Sequence, residues 1–323
     1  MILILADSTD PWATLVYREA QLTGGDVCWV EPSQLLDRTA LSWFVDSGTA
    51  VIRGLLTVDG RPIPLDEFTG VFTRIAWPLP LQLDDLTPKD AEYVVKETTA
   101  SWFALLNALP CAVVNRPVPG GRPALLAGRA SLRQLAQDQG ILLPPSRSTT
   151  SQAEALSQFS AWSERAYVKG LASEETGLYL DAQDGADQIC RLMERFAIAL
   201  QSVPEGQQVT VYVAGREVAA TVVQANESKQ MNRDLPFLPT EQGLTLARGL
   251  GLDFAECRFV VAPDGRVYCM DVSSSPNYWR CPQHVQQEIV SRLIQHLSET
   301  RSVSVHDSVV GADGRSGAGE RLR

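Results

Sequence analysis

Short β-branched runs separated by helical patterns fill the first third of the chain. Met1–Ala6, Val27–Glu31, Ala50–Arg53, Gly70–Ile75 and Cys111–Asn115 have the apolar composition of strands, whereas Pro11–Leu22 and Pro88–Leu109 repeat their apolar positions at helical spacing. Strands alternating with helices predict an open α/β sheet over residues 1–118. The Pro/Gly-rich stretch Arg116–Pro123 breaks this pattern and marks a boundary. Beyond it, Arg129–Gln139 reads as a helix stopped by Gly140, and Pro144 and Pro145 enforce an extended exit. Strand, hairpin and helix signals continue from Tyr167 to about Leu200, so residues 119–204 are expected to form an α+β unit.

From Gln207 the period becomes two. Val209, Val211 and Val213 alternate with Thr210 and Tyr212, and Ala214-Gly215-Arg216 turns the chain into Val218–Val223. A second hairpin, Cys257–Val261 and Val267–Val272, turns at Pro263-Asp264-Gly265, with a helix near Glu241–Gly249 between the two hairpins. After Pro282, residues Val285, Ile289, Leu293, Ile294 and Leu297 make one face of an amphipathic helix. This second α+β unit spans residues 205–300, and Arg301–Arg323, rich in Ser, Gly and charge without periodicity, is expected to be disordered.

Composition narrows the partners. An apolar fraction of 45% suits a soluble globular chain, and 28 basic against 38 acidic residues give a net charge of −10. Such a chain has no general attraction for nucleic acid or an anionic membrane, so a phosphate ligand must be held by local cations. The opening MILILA has no basic region before it and is followed at once by Asp7-Ser8-Thr9-Asp10, which fits neither a signal peptide nor a membrane span. The Asp7–Asp10 loop lies at a strand's C-terminal edge but lacks Gly-x-Gly-x-x-Gly spacing, and a structural role is the simpler reading. Six cysteines, at 28, 111, 190, 257, 269 and 281, show no Cys-x-x-Cys pair and read as buried thiols in a reducing cytoplasm rather than disulfides or zinc ligands.

Binding a nucleoside triphosphate requires a cation on the phosphates, carboxylates for magnesium and an apolar slot for the base. Lys169 ends an apolar strand just before Gly170–Gly177, a segment able to lie over phosphates; a surface lysine is the plainer alternative. Arg129, at a helix start, could reach the same phosphates or simply be solvated. Gln201, Ser202 and Val203 follow the apolar run Phe196–Leu200 and can offer backbone groups to a purine. Asp271 ends the strand Val267–Met270, where a solvated acid gains little, and reads either as a magnesium ligand or as a loop cap. Ser273, Ser274, Ser275 and Asn277 follow it with further oxygens.

Together these segments resemble the ATP-grasp superfamily, and within it the ribosomal-protein glutamate ligases and the ligases that macrocyclise graspetide peptides. The resemblance covers roughly residues 1–298 and rests on several segments: Phe72-Thr73-Arg74 before Trp77-Pro78, and Val114-Asn115-Arg116-Pro117. Arg129, Gln134-Leu135, Gly140 and Pro144 follow in the family's order, then Lys169, Gly251–Ala255 and Met270–Pro276. It implies a pre-grasp α/β domain (1–118) and two α+β lobes (119–204 and 205–300) that clamp ATP. Lys169 and Arg129, the latter in place of a family lysine, would bind phosphates, and Gln201–Val203 would contact adenine. Asp271 would stand at the bridging magnesium carboxylate.

The chain departs from the family's pattern at its metal ligands. Arg258 aligns with the other metal carboxylate and Ser273 with an asparagine; Glu256, on the same side of an extended strand as Arg258, is the candidate replacement acid, and Asn277 the candidate replacement amide. Gln208-Val209-Thr210 stands where the family has Asp-x-Arg, which leaves Arg233 as the candidate anchor for an acceptor carboxylate. The implied activity is an ATP- and Mg2+-dependent joining of a carboxylate to an amine or hydroxyl through an acyl phosphate, on a peptide or amino acid, with a homodimer among the implied assemblies. A protein of this fold that binds nucleotide or peptide without turnover is the alternative.

Overall fold

The computed structural model describes residues 1–45, 52–75, 77–79, 81, 83–117, 128–171, 177–224 and 237–299, the side chains at 128–131 excepted. The expected disordered tail, 301–323, lies outside the described residues. The N-terminal part runs β1 (Ile2–Leu5), α1 (Pro11–Leu22), β2 (Val27–Val30), α2 (Gln34–Asp37), β3 (Thr39–Val45), β4 (Ile52–Val58), β5 (Arg61–Pro64), β6 (Gly70–Thr73), α3 (Pro88–Ala108) and β7 (Ala112–Val113). β2, β1, β6 and β7 form a parallel sheet in that order. Helix α1 begins where proline tolerates a missing N–H donor, at Pro11, and the Asp10 carboxylate accepts from the N–H groups of Trp12 and Ala13.

The strand expected near Ala50–Arg53 is not part of that sheet. Ile52 instead opens β4, the centre of a separate antiparallel sheet ordered β3-β4-β5. This sheet is buried on one face only, where Leu56 and Ile63 meet Leu5, Val71 and Trp102 of the α/β core. Its outer strand β3 is mostly exposed, Phe44 and Val45 included, although its residues are largely apolar.

The next part comprises α4 (Gly128–Asp138), β8 (Ser146–Thr149), α5 (Gln152–Ala161), β9 (Ala166–Gly170), β10 (Leu178–Leu180), α6 (Gly185–Met193) and β11 (Ile198–Ser202). Gly140 ends α4 at φ +66°, and Ile141 N–H returns to Ala136 O at 2.8 Å, a left-handed C-terminal cap. β10, β9, β11 and β8 form an antiparallel sheet with α5 and α6 on one face. Residues alternate along these strands. Ala166, Val168, Ile198 and Leu200 enter the helix-covered core, which turns Tyr167, Lys169, Ala199 and Gln201 to the opposite face.

The last part comprises β12 (Gln207–Ala214), β13 (Glu217–Val223), α7 (Thr240–Gly249), β14 (Phe254–Val261), β15 (Val267–Ser273) and α8 (Gln283–Ser298). Both expected hairpins form, within one sheet ordered β13-β12-β14-β15. Val209, Val211, Val213, Ala255, Cys257, Phe259 and Val261 bury one face against α7 and against Leu132, Leu135 and Ala136 of α4. Ile289, Leu293 and Leu297 of α8 join one core with Ile2, Ile4 and Val16 of the N-terminal part and Tyr212 and Phe254 of the sheet. The approach of α8 to β6 is close: a Cβ built on Gly70 would stand 2.7 Å from the Leu297 Cα. No described helix is long and apolar enough to cross a membrane, and all six cysteines are free.

Candidate functional site

The free face of β14 carries Phe254, Glu256, Arg258 and Val260 in sequence, two residues apart. Phe254 belongs to the core shared with the N-terminal part, and Val260 to a cluster that joins the two α+β lobes. Between these apolar ends lie two opposite charges. Cross-strand neighbours extend the polar patch: Thr210 and Asp271 flank Arg258, and Tyr212 and Ser273 flank Glu256.

Asp271 reaches this face because β15 is irregular. The β14–β15 register shifts between Arg258 and Phe259, so Arg258 pairs with Asp271 while Phe259 pairs with Cys269, leaving Met270 as an extra residue. Met270 packs in the inter-lobe cluster, whereas Cys269 and Val272 bury on the back. Without the bulge, simple alternation would set Asp271 on the same side as Cys269. Met270 and Asp271 therefore both face the cleft.

Lys169 comes from the other lobe and meets Asp271 there. Its Nζ lies 3.1 and 3.2 Å from the two carboxylate oxygens, and both side chains are largely buried, at 16% and 12% exposure. The Tyr167 hydroxyl donates to Asp271 Oδ2 at 2.8 Å and accepts from Gly177 N–H at 2.7 Å. Burial, then the adjacent Asp271 carboxylate, holds the Tyr167 phenol well above its ordinary 10.0, so it stays a donor. Tyr167 and Tyr179 pack edge to face, ring centroids 5.0 Å apart, with Val203, Val260, Tyr268 and Met270 around them.

Glu256 is fully buried and paired with Arg258, Nε to Oε1 at 2.7 Å; its Oε2 accepts Asn277 N–H at 2.6 Å. Burial is the largest single influence on Arg258 and works against its charge, but the Glu256 carboxylate together with Tyr167 and Tyr179 outweighs it and raises the guanidinium's pKa. Arg258 Nη1 also reaches Gly177 O across the lobes at 3.4 Å. The four charged groups thus form two matched pairs with no net charge.

The residues expected to act together are only partly gathered. Lys169, Asp271, Glu256, Ser273 and Asn277 share the patch, and Gln201 lies opposite Tyr167 on β11 with its Oε1 buried and without a hydrogen-bond partner. Ser202 and Val203 follow at the entrance to the C-terminal sheet. Arg129 lies in the first turn of α4 with its side chain outside the described residues, and Arg233 lies outside them altogether.

Sequence reasoning assigned no role to Arg74, which pairs with Asp10 at 2.6 Å and donates to Ser275 Oγ at 3.0 Å, tying the first loop to the serine loop. Asn115, in the left-handed region at φ +49°, donates to Phe254 O and Ser274 O at 2.8 and 2.6 Å and accepts from Phe254 N–H at 3.0 Å. In the Asp7–Asp10 loop the Asp7 carboxylate accepts from Thr9 N–H and Thr9 Oγ1, and Asp7 O accepts from Asp10 N–H.

As arranged, these donors do not make a magnesium site. The ion takes near-octahedral oxygens with carboxylates to neutralise it. Asp271 is engaged by Lys169 and Tyr167, Glu256 by Arg258 and Asn277 N–H, and Ser273 Oγ is hydrogen-bonded to Ser275. Asn277 Oδ1 is the one donor of the set buried without a hydrogen-bond partner. Among the described residues, no three His, Cys, Asp or Glu side chains gather as metal ligands.

No family model matches the sequence, and no curated protein does. Solved structures do. The macrocyclase MdnC of Microcystis aeruginosa MRC, bound with its precursor peptide MdnA, is similar at a TM-score of 0.63 and 17% identity, over 91% of this chain and 100% of that one. A RiPP-associated ATP-grasp ligase of Chryseobacterium gregarium, in complex with ADP and a leader and core peptide, gives 0.63 and 14%, over 92% and 96%. The ATP-grasp ligase PsnB, with minimal precursor, Mg and ADP, gives 0.62 and 19%, over 92% and 97%. The chain has the ATP-grasp fold.

Proposed function

We propose that this chain is an ATP-dependent ligase that joins a carboxylate to an amine or hydroxyl on a peptide or amino acid. The observation that carries this reading is the contact of Lys169 with Asp271, one from each lobe, at the seam of a fold whose similar structures hold nucleotide and precursor peptide. Two further features support it. Tyr167, Tyr179, Val203, Val260, Tyr268 and Met270 form an apolar cluster at the inter-lobe seam, and the unpartnered Gln201 acceptor on the same face as Tyr167 suits the exocyclic amine of a purine.

In this reading the substrate carboxylate attacks the terminal phosphorus and the nucleoside diphosphate leaves. The amine or hydroxyl then adds to the acyl phosphate carbonyl, loses its proton and expels inorganic phosphate. Lys169 and Arg258 supply positive charge where the phosphoryl group transfers, Arg129 a further phosphate contact, and Arg233 a grip on the acceptor's carboxylate. Phosphate entry exchanges the carboxylate partners of Lys169 and Arg258 for phosphate oxygens. Magnesium has no part in these steps, because the donor set does not fit it.

The Arg258–Glu256 pair favours a second reading, a cleft that binds nucleotide or peptide without turnover. Thermal stabilisation by ATP, followed by phosphate release with candidate peptides, separates the two. The ligase reading expects both, and Lys169→Met weakening ATP at least about 10-fold, or ~1.4 kcal/mol. Stabilisation with no phosphate release under any peptide supports the second reading, and ATP binding untouched by Lys169→Met rejects the phosphate site.

A further inference from the structure

We infer that the inter-lobe cleft is metal-free by construction: the Arg258 guanidinium is its resident cation, and divalent ions are excluded from between Glu256 and Asp271. Three observations carry this. Arg258 is bonded to Glu256 on its own strand and is the cross-strand neighbour of Asp271, so a cation already stands at the strand position beside both acids. Each carboxylate has its own positive partner, Arg258 for Glu256 and Lys169 for Asp271, so among the described residues of the patch no acid is left in excess to attract a divalent ion. Both pairs are also anchored across the seam. Arg258 reaches Gly177 O across the seam, and Tyr167 bridges Asp271 to Gly177 N–H, so one member of each pair is tied to Gly177.

A divalent ion entering this patch would have to strip both cations from their carboxylates and then remain beside them. Lysine could shed its charge under such pressure; an arginine cannot. Glu256, with no exposed side-chain surface, is shut off from bulk solvent that could replace its guanidinium partner. The chain thus supplies from β14 the charge that an ion would otherwise bring. This inference does not depend on the ligase reading, and its test uses neither nucleotide nor turnover.

The experiment is titration of the full chain with Mn2+ as probe, read by electron paramagnetic resonance and by thermal unfolding in Mg2+ against EDTA. The wild type is expected to bind no Mn2+ below about 1 mM and to melt at the same temperature in both buffers. Arg258→Asp turns the cation into a third acid beside Glu256 and Asp271, and is expected to bind Mn2+ at least about 10-fold tighter and to gain thermal stability with the ion. Stoichiometric Mn2+ binding by the wild type that disappears in Asp271→Asn overturns the inference, as does a folded Arg258→Asp protein with no gain. The wild-type titration and its Asp271→Asn control decide the matter even where Arg258→Asp does not fold.

Discussion

Replacing Arg258 with methionine isolates the energetics of the cleft. The substitution keeps much of the side chain's apolar stem but removes a cation that is only 14% exposed and sits 2.7 Å from a carboxylate with 0% exposure. Glu256 keeps its hydrogen bond from Asn277 N–H but becomes a buried charge without its partner. Breaking one side of such a pair costs about 3–5 kcal/mol, whereas replacing both charges by neutral groups of similar size costs far less. Glu256→Gln retains an oxygen for Asn277 N–H, so the double variant Glu256→Gln/Arg258→Met should recover at least about 2 kcal/mol of the loss.

For 323 residues unfolding as one unit, an unfolding entropy of about 0.7 kcal/mol/K makes each kcal/mol worth roughly 1.5 °C. The single variant should therefore melt about 4–7 °C below the wild type, and the double variant about 3 °C or more above the single. Differential scanning calorimetry at fixed ionic strength and pH 7 measures both. A single variant within about 1 °C of wild type, or a double variant no better than the single, would refute a buried, mutually dependent pair.

Asn115→Ala removes three buried hydrogen bonds that hold Phe254 and Ser274 and puts alanine at φ +49°, so denaturant titration should report a loss of about 3 kcal/mol or more; under 1 kcal/mol would mean those partners are satisfied elsewhere. Gly70→Ala drives a methyl into the Leu297 backbone and should lower the melting temperature while leaving far-ultraviolet ellipticity near native, because α8 must shift from β6; an unchanged melting temperature contradicts the close approach. Burial raises the phenols of Tyr167, Tyr179, Tyr212 and Tyr278 above 10.0 and the thiols of Cys257 and Cys269 above 9.0. Groups raised in the folded state give up their stabilisation as pH rises past the unfolded value, so urea midpoints should begin to fall above pH 9 and steepen above pH 10. Tyr167→Phe should lessen only the steep part, by up to about 1.4 kcal/mol per pH unit, and an equal slope in the variant would remove Tyr167 from the account.

Much of this architecture is written locally. Asp10-Pro11 starts α1, Gly140 stops α4, and Pro263-Asp264-Gly265 turns the hairpin that bears the site, with Gly265 at φ +84°; each signal lies within a few residues of its effect. Lys169 and Asp271 could be nominated singly because a charged residue at the end of an apolar strand is uncommon, and the fold brings them together. What stayed hidden depends on pairing between distant segments. The β14–β15 register decides which way Asp271 points, and nothing in Val267–Val272 alone marks Met270 as an extra residue. The sheet β3-β4-β5 draws its burial from β1 and α3, long-range contacts that no local run of residues records. Arg74 becomes notable only once the serine loop is seen beside Asp10.

The seating of α8 against α1 and β6 has a consequence for how the protein is made. The side of the first parallel sheet on which α1 packs stays only partly covered through translation until the segment around Ile289–Leu297 leaves the ribosome, because that segment completes its core. The nascent N-terminal part must therefore wait with apolar surface open to chaperones or to other chains, and a gene fragment cut after β7 is expected to yield insoluble material.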